Sequence, residues 1–278
     1  MYENFAGFYN TYTGDVNCGQ LMDFLEERFR LFGNEGLKAL AKKRSKGRTA
    51  KGGDASKTAK ASKPEASENG ADIEKSTLVI DVGCGTGKLT VKMAEKGYDM
   101  TGLDISPEML EIASELGYEK NVNVLWLCQD MREMDTFGSY AAMYCLEDGV
   151  NHMTGEGDLG VFLERAKNFI DRDGLLIFDF LTDGYFKAAA SKGVFFEDGG
   201  EGTCIWTAEY ENAKMTYDII CYSLEEDGLY GRTDDTVEEI PLEPAFVKQT
   251  LQEKGYEVLE LRECYDSPGR FYVTARRK

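Results

Sequence analysis

The chain has 278 residues, 42% of them hydrophobic and 12% aromatic, which supplies a full core without staples and excludes wholesale disorder. Lys and Arg number 32 against 50 Asp and Glu, a net charge of -18, and so acidic a body repels phosphate backbones and anionic membrane surfaces. No run approaches the roughly 20 apolar residues that span a bilayer, and Met1-Tyr2-Glu3-Asn4 lacks the basic and apolar regions of a secretory signal, so a soluble, cytoplasmic protein is expected. Tyr2, Phe5, Phe8, Tyr9 and Tyr12 recur at helical spacing. Leu21, Phe24, Leu25, Phe29 and Phe32 then form the apolar face of a helix from about Gly19 to Phe32. Residues 1–41 are therefore read as a helical lid. Lys42 to Lys75 follows, without an aromatic residue or a Leu and with 10 basic against 5 acidic residues. It cannot bury enough surface to offset its chain entropy and reads as a flexible insertion. The sharper alternative is a basic arm that would bring RNA to the protein.

Beyond the insertion, strands and helices alternate. Strands are predicted at Thr77–Val82, Asp99–Leu103, Asn121–Leu127, Ser139–Leu146 and Gly174–Leu181. Helices are predicted from Gly87 to about Lys96, from Pro107 to about Leu116 with Ser106 as N-cap, and at Asp158–Ile170. Apolar strands separated by such helices mean a parallel sheet covered on both faces. From Tyr185 to Ile240 the texture changes to strands at Cys204–Glu211, Lys214–Glu225 and Leu229–Glu239, joined at Asn212-Ala213 and Asp227-Gly228, an antiparallel meander. A helix at Glu243–Lys254 and strands at Tyr256–Cys264 and Arg270–Arg276 close the chain. The turn Ser267-Pro268-Gly269 is too short for a parallel crossover, so the last two strands are antiparallel neighbours. The seven cysteines are scattered without a C-x-x-C pair and read as reduced core thiols, with no metal site.

The most informative stretch is Leu78-Val-Ile-Asp81-Val-Gly83-Cys84-Gly85-Thr-Gly87-Lys88, a buried strand entering a glycine turn and a helix. A P-loop would need a glycine at Val82 and Ser or Thr at Leu89; a dinucleotide fingerprint would need a glycine at Lys88. Both fail. What remains is D-x-G-x-G-x-G with an acid, Asp104, ending the next strand, at the distance from a glycine loop where a carboxylate takes ribose hydroxyls. Asp81 adds negative charge beside the turn, which would repel a pyrophosphate and welcome a sulfonium. A cationic nucleoside fits better than a dinucleotide.

These residues resemble the class I S-adenosylmethionine-dependent methyltransferases from about Ser76 to the C-terminus. Asp81-Val-Gly83-Cys84-Gly85-Thr-Gly87 is similar to the family's first motif, and Asp104-Ile105-Ser-Pro-Glu-Met to its acidic post-motif. Gln129-Asp130-Met131 is similar to the segment that addresses adenine, and Tyr140 to His152 to the fourth strand and the loop flanking methionine and acceptor. The opening aromatics and late meander resemble a bacterial branch of small-molecule methyltransferases whose substrates are largely unassigned. The Lys42–Lys75 insertion departs from the pattern, and His152 stands where an aromatic residue is expected. The resemblance implies a Rossmann-like seven-stranded mixed sheet in the order 3-2-1-4-5-7-6, with helices on both faces. Residues 76–184 and 241–278 would form the cofactor domain and residues 185–240 the antiparallel insert. It implies S-adenosylmethionine as cofactor, contacted by Asp81, Gly83, Cys84, Gly85, Gly87, Asp104, Ile105, Asp130, Met131, Cys145 and Tyr9.

Methyl transfer from a sulfonium is an in-line displacement, so the protein must align acceptor, methyl and sulfur and remove a proton where the acceptor carries one. The expected acceptor is a small molecule methylated on N or O. His152 is the only histidine and falls at the carboxyl edge of the sheet, where it reads as an acceptor contact or a base. Asp148 and Asn151 share its loop, as acceptor contacts or loop caps. Trp206, Tyr210, Tyr217 and Tyr222 would cap the acceptor, line the meander's inner face, or meet a second subunit in a homodimer. Arg270 would neutralise an acidic acceptor or stand in solvent, and Glu225-Glu226-Asp227 and Asp234-Asp235 read as solvated turns. The rival readings are a non-catalytic S-adenosylmethionine sensor or scaffold, a nicotinamide oxidoreductase, and an RNA methyltransferase that uses the basic insertion.

Overall fold

The computed structural model describes residues 16–45, 77–198, 202–224 and 228–278. Tyr2, Phe5, Phe8, Tyr9 and Tyr12, the Glu225-Glu226-Asp227 turn and most of the Lys42–Lys75 insertion lie outside them. Helix α1 (Val16–Phe32) begins before its predicted start, and a helix that the sequence did not suggest, α2 (Glu35–Ser45), follows it. Few apolar residues mark α2; Asn34 fixes its start by accepting from the Leu37 N–H at 2.9 Å. The predicted lid is, in its described part, a sheet cover. Leu21, Leu25 and Phe29 of α1 and Leu37 and Ala41 of α2 are buried with Val79, Met100 and Tyr144 of the sheet, and Arg28 pairs with Glu260 at 2.6 Å.

The main sheet has the order β3-β2-β1-β4-β5-β11-β10, which is the expected order along the chain. Its parallel strands are β1 (Leu78–Val82), β2 (Asp99–Asp104), β3 (Val124–Cys128), β4 (Tyr140–Cys145) and β5 (Ile170–Leu181). β11 (Arg270–Arg277) runs antiparallel to both β5 and β10 (Tyr256–Glu263), as the Ser267-Pro268-Gly269 turn requires. Alternation along β1 sends Val79 into the layer under α1 and α2, and Ile80 and Val82 into the opposite core. There they meet Phe162, Leu163 and Ala166 of α5 (Asp158–Phe169) and Val247 and Leu251 of α7 (Pro244–Glu253). Helix α3 (Lys88–Glu95) follows β1. Helix α4 (Pro107–Glu119) follows β2 with Ser106 as its N-cap, the hydroxyl accepting from the Met109 N–H.

The second sheet is antiparallel, β6-β7-β8-β9. The predicted meander accounts for β7 (Gly202–Glu211), β8 (Lys214–Leu224) and β9 (Tyr230–Glu239), whereas α6 (Asp183–Ala190) and the edge strand β6 (Val194–Asp198) were not expected. Asn212 and Ala213 both adopt positive φ, 51° and 58°, as a two-residue type I′ hairpin demands. Asp234 and Asp235 lie within β9 and not in a turn. One expectation is overturned outright: Cys204 and Cys221 form a disulfide. The two face each other in the β7–β8 register, with Cα atoms 4.3 Å apart, the separation of a non-hydrogen-bonded antiparallel pair. Their separation of 17 positions carries no such signal until the register is known. No helix among the described residues is long and apolar enough to cross a membrane.

Candidate active site

The carboxyl ends of β1, β2, β3, β4 and β5 and the inner face of the second sheet enclose a cavity of about 830 Å³, within the ~300–1,000 Å³ usual for small-molecule sites. Asn151 holds the two sheets in place. Its side-chain amide donates to Leu181 O at 3.0 Å and Ile240 O at 2.7 Å, and its carbonyl accepts from the Leu181 N–H at 2.9 Å. With these bonds made and the residue fully buried, Asn151 belongs to the scaffold and not to an acceptor contact.

The first half of the cavity is built from strand tips. Gly83, Gly85 and Gly87 have φ of 70°, 53° and 72°, a left-handed conformation that glycine adopts without steric cost. Gly83 and Gly85 line the cavity. Gly87 serves packing: a Cβ there would come within 2.7 Å of Ala113 and Trp126. Asp104 closes the loop, one carboxylate oxygen accepting from the Gly85 N–H at 2.8 Å and the other from the Ser106 N–H at 2.9 Å. Burial raises its pKa, and these backbone donors pull it back. Each oxygen keeps a lone pair for a ribose hydroxyl.

Asp81 lies beneath this loop, outside the cavity lining, and accepts from the Thr90 hydroxyl. Burial pushes it up to about 7, so it braces the turn and does not present a fixed charge to the ligand. Cys84 and Cys145 also stand outside the lining, their thiols held neutral by burial. Ile105, Asp130 and Met131 do line it. Asp130 is gripped by Arg132, which the sequence reading passed over: the guanidinium Nε lies 3.0 and 3.1 Å from its two oxygens and lowers its pKa. Tyr9 lies outside the described residues.

The second half is built from side chains of distant strands. Glu147 and Asp148, after β4, have positive φ of 62° and 54°, a costly pair for non-glycine residues. Asp179 of β5 accepts from the Asp148 N–H at 3.2 Å, and Arg270 of β11 binds Asp148 at 2.8 Å and also Asp179. Arg270 is thus neither solvated nor free to neutralise an acidic acceptor. Asp148 and His152 line the cavity as expected, as do Trp206 and Tyr217. Tyr222 does not, and Tyr210 instead donates to Asp183 at 2.8 Å. Burial lowers the pKa of His152 against the opposing pull of Asp148, which favours the neutral imidazole.

Glu239 and Tyr185 also line this half and were not anticipated, because a Glu ending a strand and a Tyr opening a short helix look like surface. The sequence expected no metal. One ligand atom each from Asp148, His152 and Glu239 nevertheless lies within 4.8 Å of the others, although Arg270 already places a positive charge on Asp148.

The methyltransferase-domain family model matches residues 79–174. A protein of Geobacillus sp. (strain WCH70), which carries a methyltransferase name with no substrate in it, is 29% identical over 185 residues, 66% of this chain and 75% of its own. A glycine/sarcosine N-methyltransferase of Halorhodospira halochloris is 24% identical over 203 residues, 72% of this chain and 70% of its own. The crystal structure of an S-adenosylmethionine-dependent methyltransferase from Clostridium acetobutylicum ATCC 824 shares the fold, with a TM-score of 0.64 and 22% identity over 72% of this chain and 83% of that one. The glycine loop, the strand order and the family match over residues 79–174 together show that the chain carries an S-adenosylmethionine-dependent methyltransferase domain.

Proposed function

We propose that the enzyme methylates a small molecule on nitrogen or oxygen, and that donor and acceptor meet inside this one cavity. The observation that carries the reading is the continuity of the lining. Gly83, Gly85, Asp104 and Asp130 share a single space with Asp148, His152 and Trp206, and the second sheet lines one side of it. The donor supplies an activated methyl group. Gly83, Gly85 and Asp104 would hold its amino acid and ribose parts, Asp130 and Met131 its base, and the second sheet would exclude water. His152, largely buried and with its pKa lowered by that burial, is placed to take a proton from the acceptor. The relative from H. halochloris acts, by its name, on small amino acids, which supports an acceptor of that size. The RNA alternative rests on the Lys42–Lys75 insertion, most of which lies outside the described residues. The test is release of S-adenosylhomocysteine from purified protein with a panel of small amines, hydroxy compounds and structured RNAs. Turnover with a small compound that falls at least about tenfold in His152→Asn is the expected result; turnover with RNA alone would overturn the reading.

A further inference from the structure

Glu239 is the least accounted-for group in the cavity. Its side chain is 6% exposed, one carboxylate oxygen has no hydrogen-bond partner, and the other lies 3.8 Å from His152 Nε2. The charged neighbours do not balance it. Burial and the neighbouring Asp148 and Asp179 hold its carboxyl well above the usual carboxylate range, while Arg270, bound to Asp148 and Asp179, pulls it back. A carboxyl so buried ionises only against a hydrogen-bonded cation, so what Glu239 lacks is a positively charged N–H donor of its own. Tyr185, Trp206 and Tyr217 line the same space, and aromatic faces attract a cation rather than an anion.

We propose that the methyl acceptor is an amine taken up as its ammonium ion, donating to Glu239 and Asp148 with its carbon skeleton among Tyr185, Trp206 and Tyr217. The proposal rests on the methyltransferase reading and makes Glu239 the residue that selects the substrate. A divalent metal at Asp148, His152 and Glu239 fits less well, because the Arg270 guanidinium already holds an Asp148 oxygen at 2.8 Å and would repel a second, doubly charged ion. In the reaction the ammonium gives one proton to neutral His152. The freed nitrogen lone pair then forms the N–C bond to the methyl carbon as the C–S bond breaks, its electron pair passing to sulfur. The products are a methylated ammonium on Glu239, a neutral thioether and a protonated His152 that returns its proton to solvent.

The experiment is calorimetric titration of hexylammonium, hexanol and hexanoate into the full chain, with and without S-adenosylhomocysteine. Hexylammonium should bind at least about tenfold more tightly than either analogue. Glu239→Gln should remove that preference and Glu239→Asp should restore part of it, both with unchanged affinity for S-adenosylhomocysteine as the check on folding. Equal binding of hexanol or hexanoate, no binding of any probe, or a preference that survives Glu239→Gln would overturn the proposal. So would stoichiometric binding of magnesium ion that displaces hexylammonium, which would make the cluster a metal site. Failure of S-adenosylhomocysteine to bind would count against the methyltransferase reading alone, since the titration without it still reads the amine site.

Discussion

The donor half of the cavity takes Gly83, Gly85 and Asp104 from consecutive turns of one β-α-β unit, whereas the acceptor half joins Arg270 to Asp148 across 122 positions. The first is made of backbone: left-handed glycines, amide N–H groups and a carboxylate that accepts from them. The second is made of buried charge, with Asp148, Asp179, Glu239, His152 and Arg270 crowded together. Backbone cradles tolerate substitution around them as long as the loop conformation holds. A buried charge cluster is stable only as a set, because removal of one partner leaves the others uncompensated.

The largest test of that contrast is Arg270→Met. It strands Asp148 and Asp179, and chemical denaturation should show a loss of about 3–5 kcal/mol; a loss under about 1 kcal/mol would mean that the cluster is no more than a surface pair. Asp81 comes next. Its folded pKa of about 7 lies above the ordinary 3.8, so the folded state holds a proton that the unfolded chain has released. Its contribution is therefore complete below about pH 4 and is lost as pH rises to about 7. Asp81→Asn should remove up to about 4 kcal/mol of that decline, read as the difference between the two proteins' urea midpoints across pH. Parallel curves would show Asp81 ionised throughout. Asp104→Ala should weaken S-adenosylhomocysteine about a hundredfold by calorimetry, the order of two hydrogen bonds to a charged group. A change of less than about threefold would move the ribose elsewhere. The smallest effect belongs to Ser106→Ala, which uncaps α4 and should cost about 1 kcal/mol of thermal stability while it leaves the Asp104 contact to the Ser106 N–H intact.

The parallel sheet was legible because β1, β4 and the second half of β5 are buried apolar runs and the helix after β2 carries its own start signal in Ser106-Pro107. The elements that escaped, α2, α6 and β6, have weak periodicity and take their structure from what they pack against. Phe186 of α6 is buried against Ala208 and Met215 of the second sheet, and Phe195 of β6 stacks on Trp206 at 5.4 Å. Within the site, Asp148, His152 and Trp206 were legible from their loop and strand. Asn151 was left open between acceptor contact and loop cap, Arg270 was expected on an acceptor or in solvent, and Glu239 was missed, because a polar residue's role depends on which distant atoms it meets.

The sequence by itself determined the glycine turn, the acid that follows it and the alternation of strands and helices in the main sheet. These depend on local conformation and on hydrophobic patterns read over a few residues. Only the tertiary structure decided that Asp81 is buried beneath the turn, that Cys204 and Cys221 are joined, and that Glu239 enters the cavity. Each of these depends on strand register and on burial among residues far apart in the chain, which no local spacing encodes.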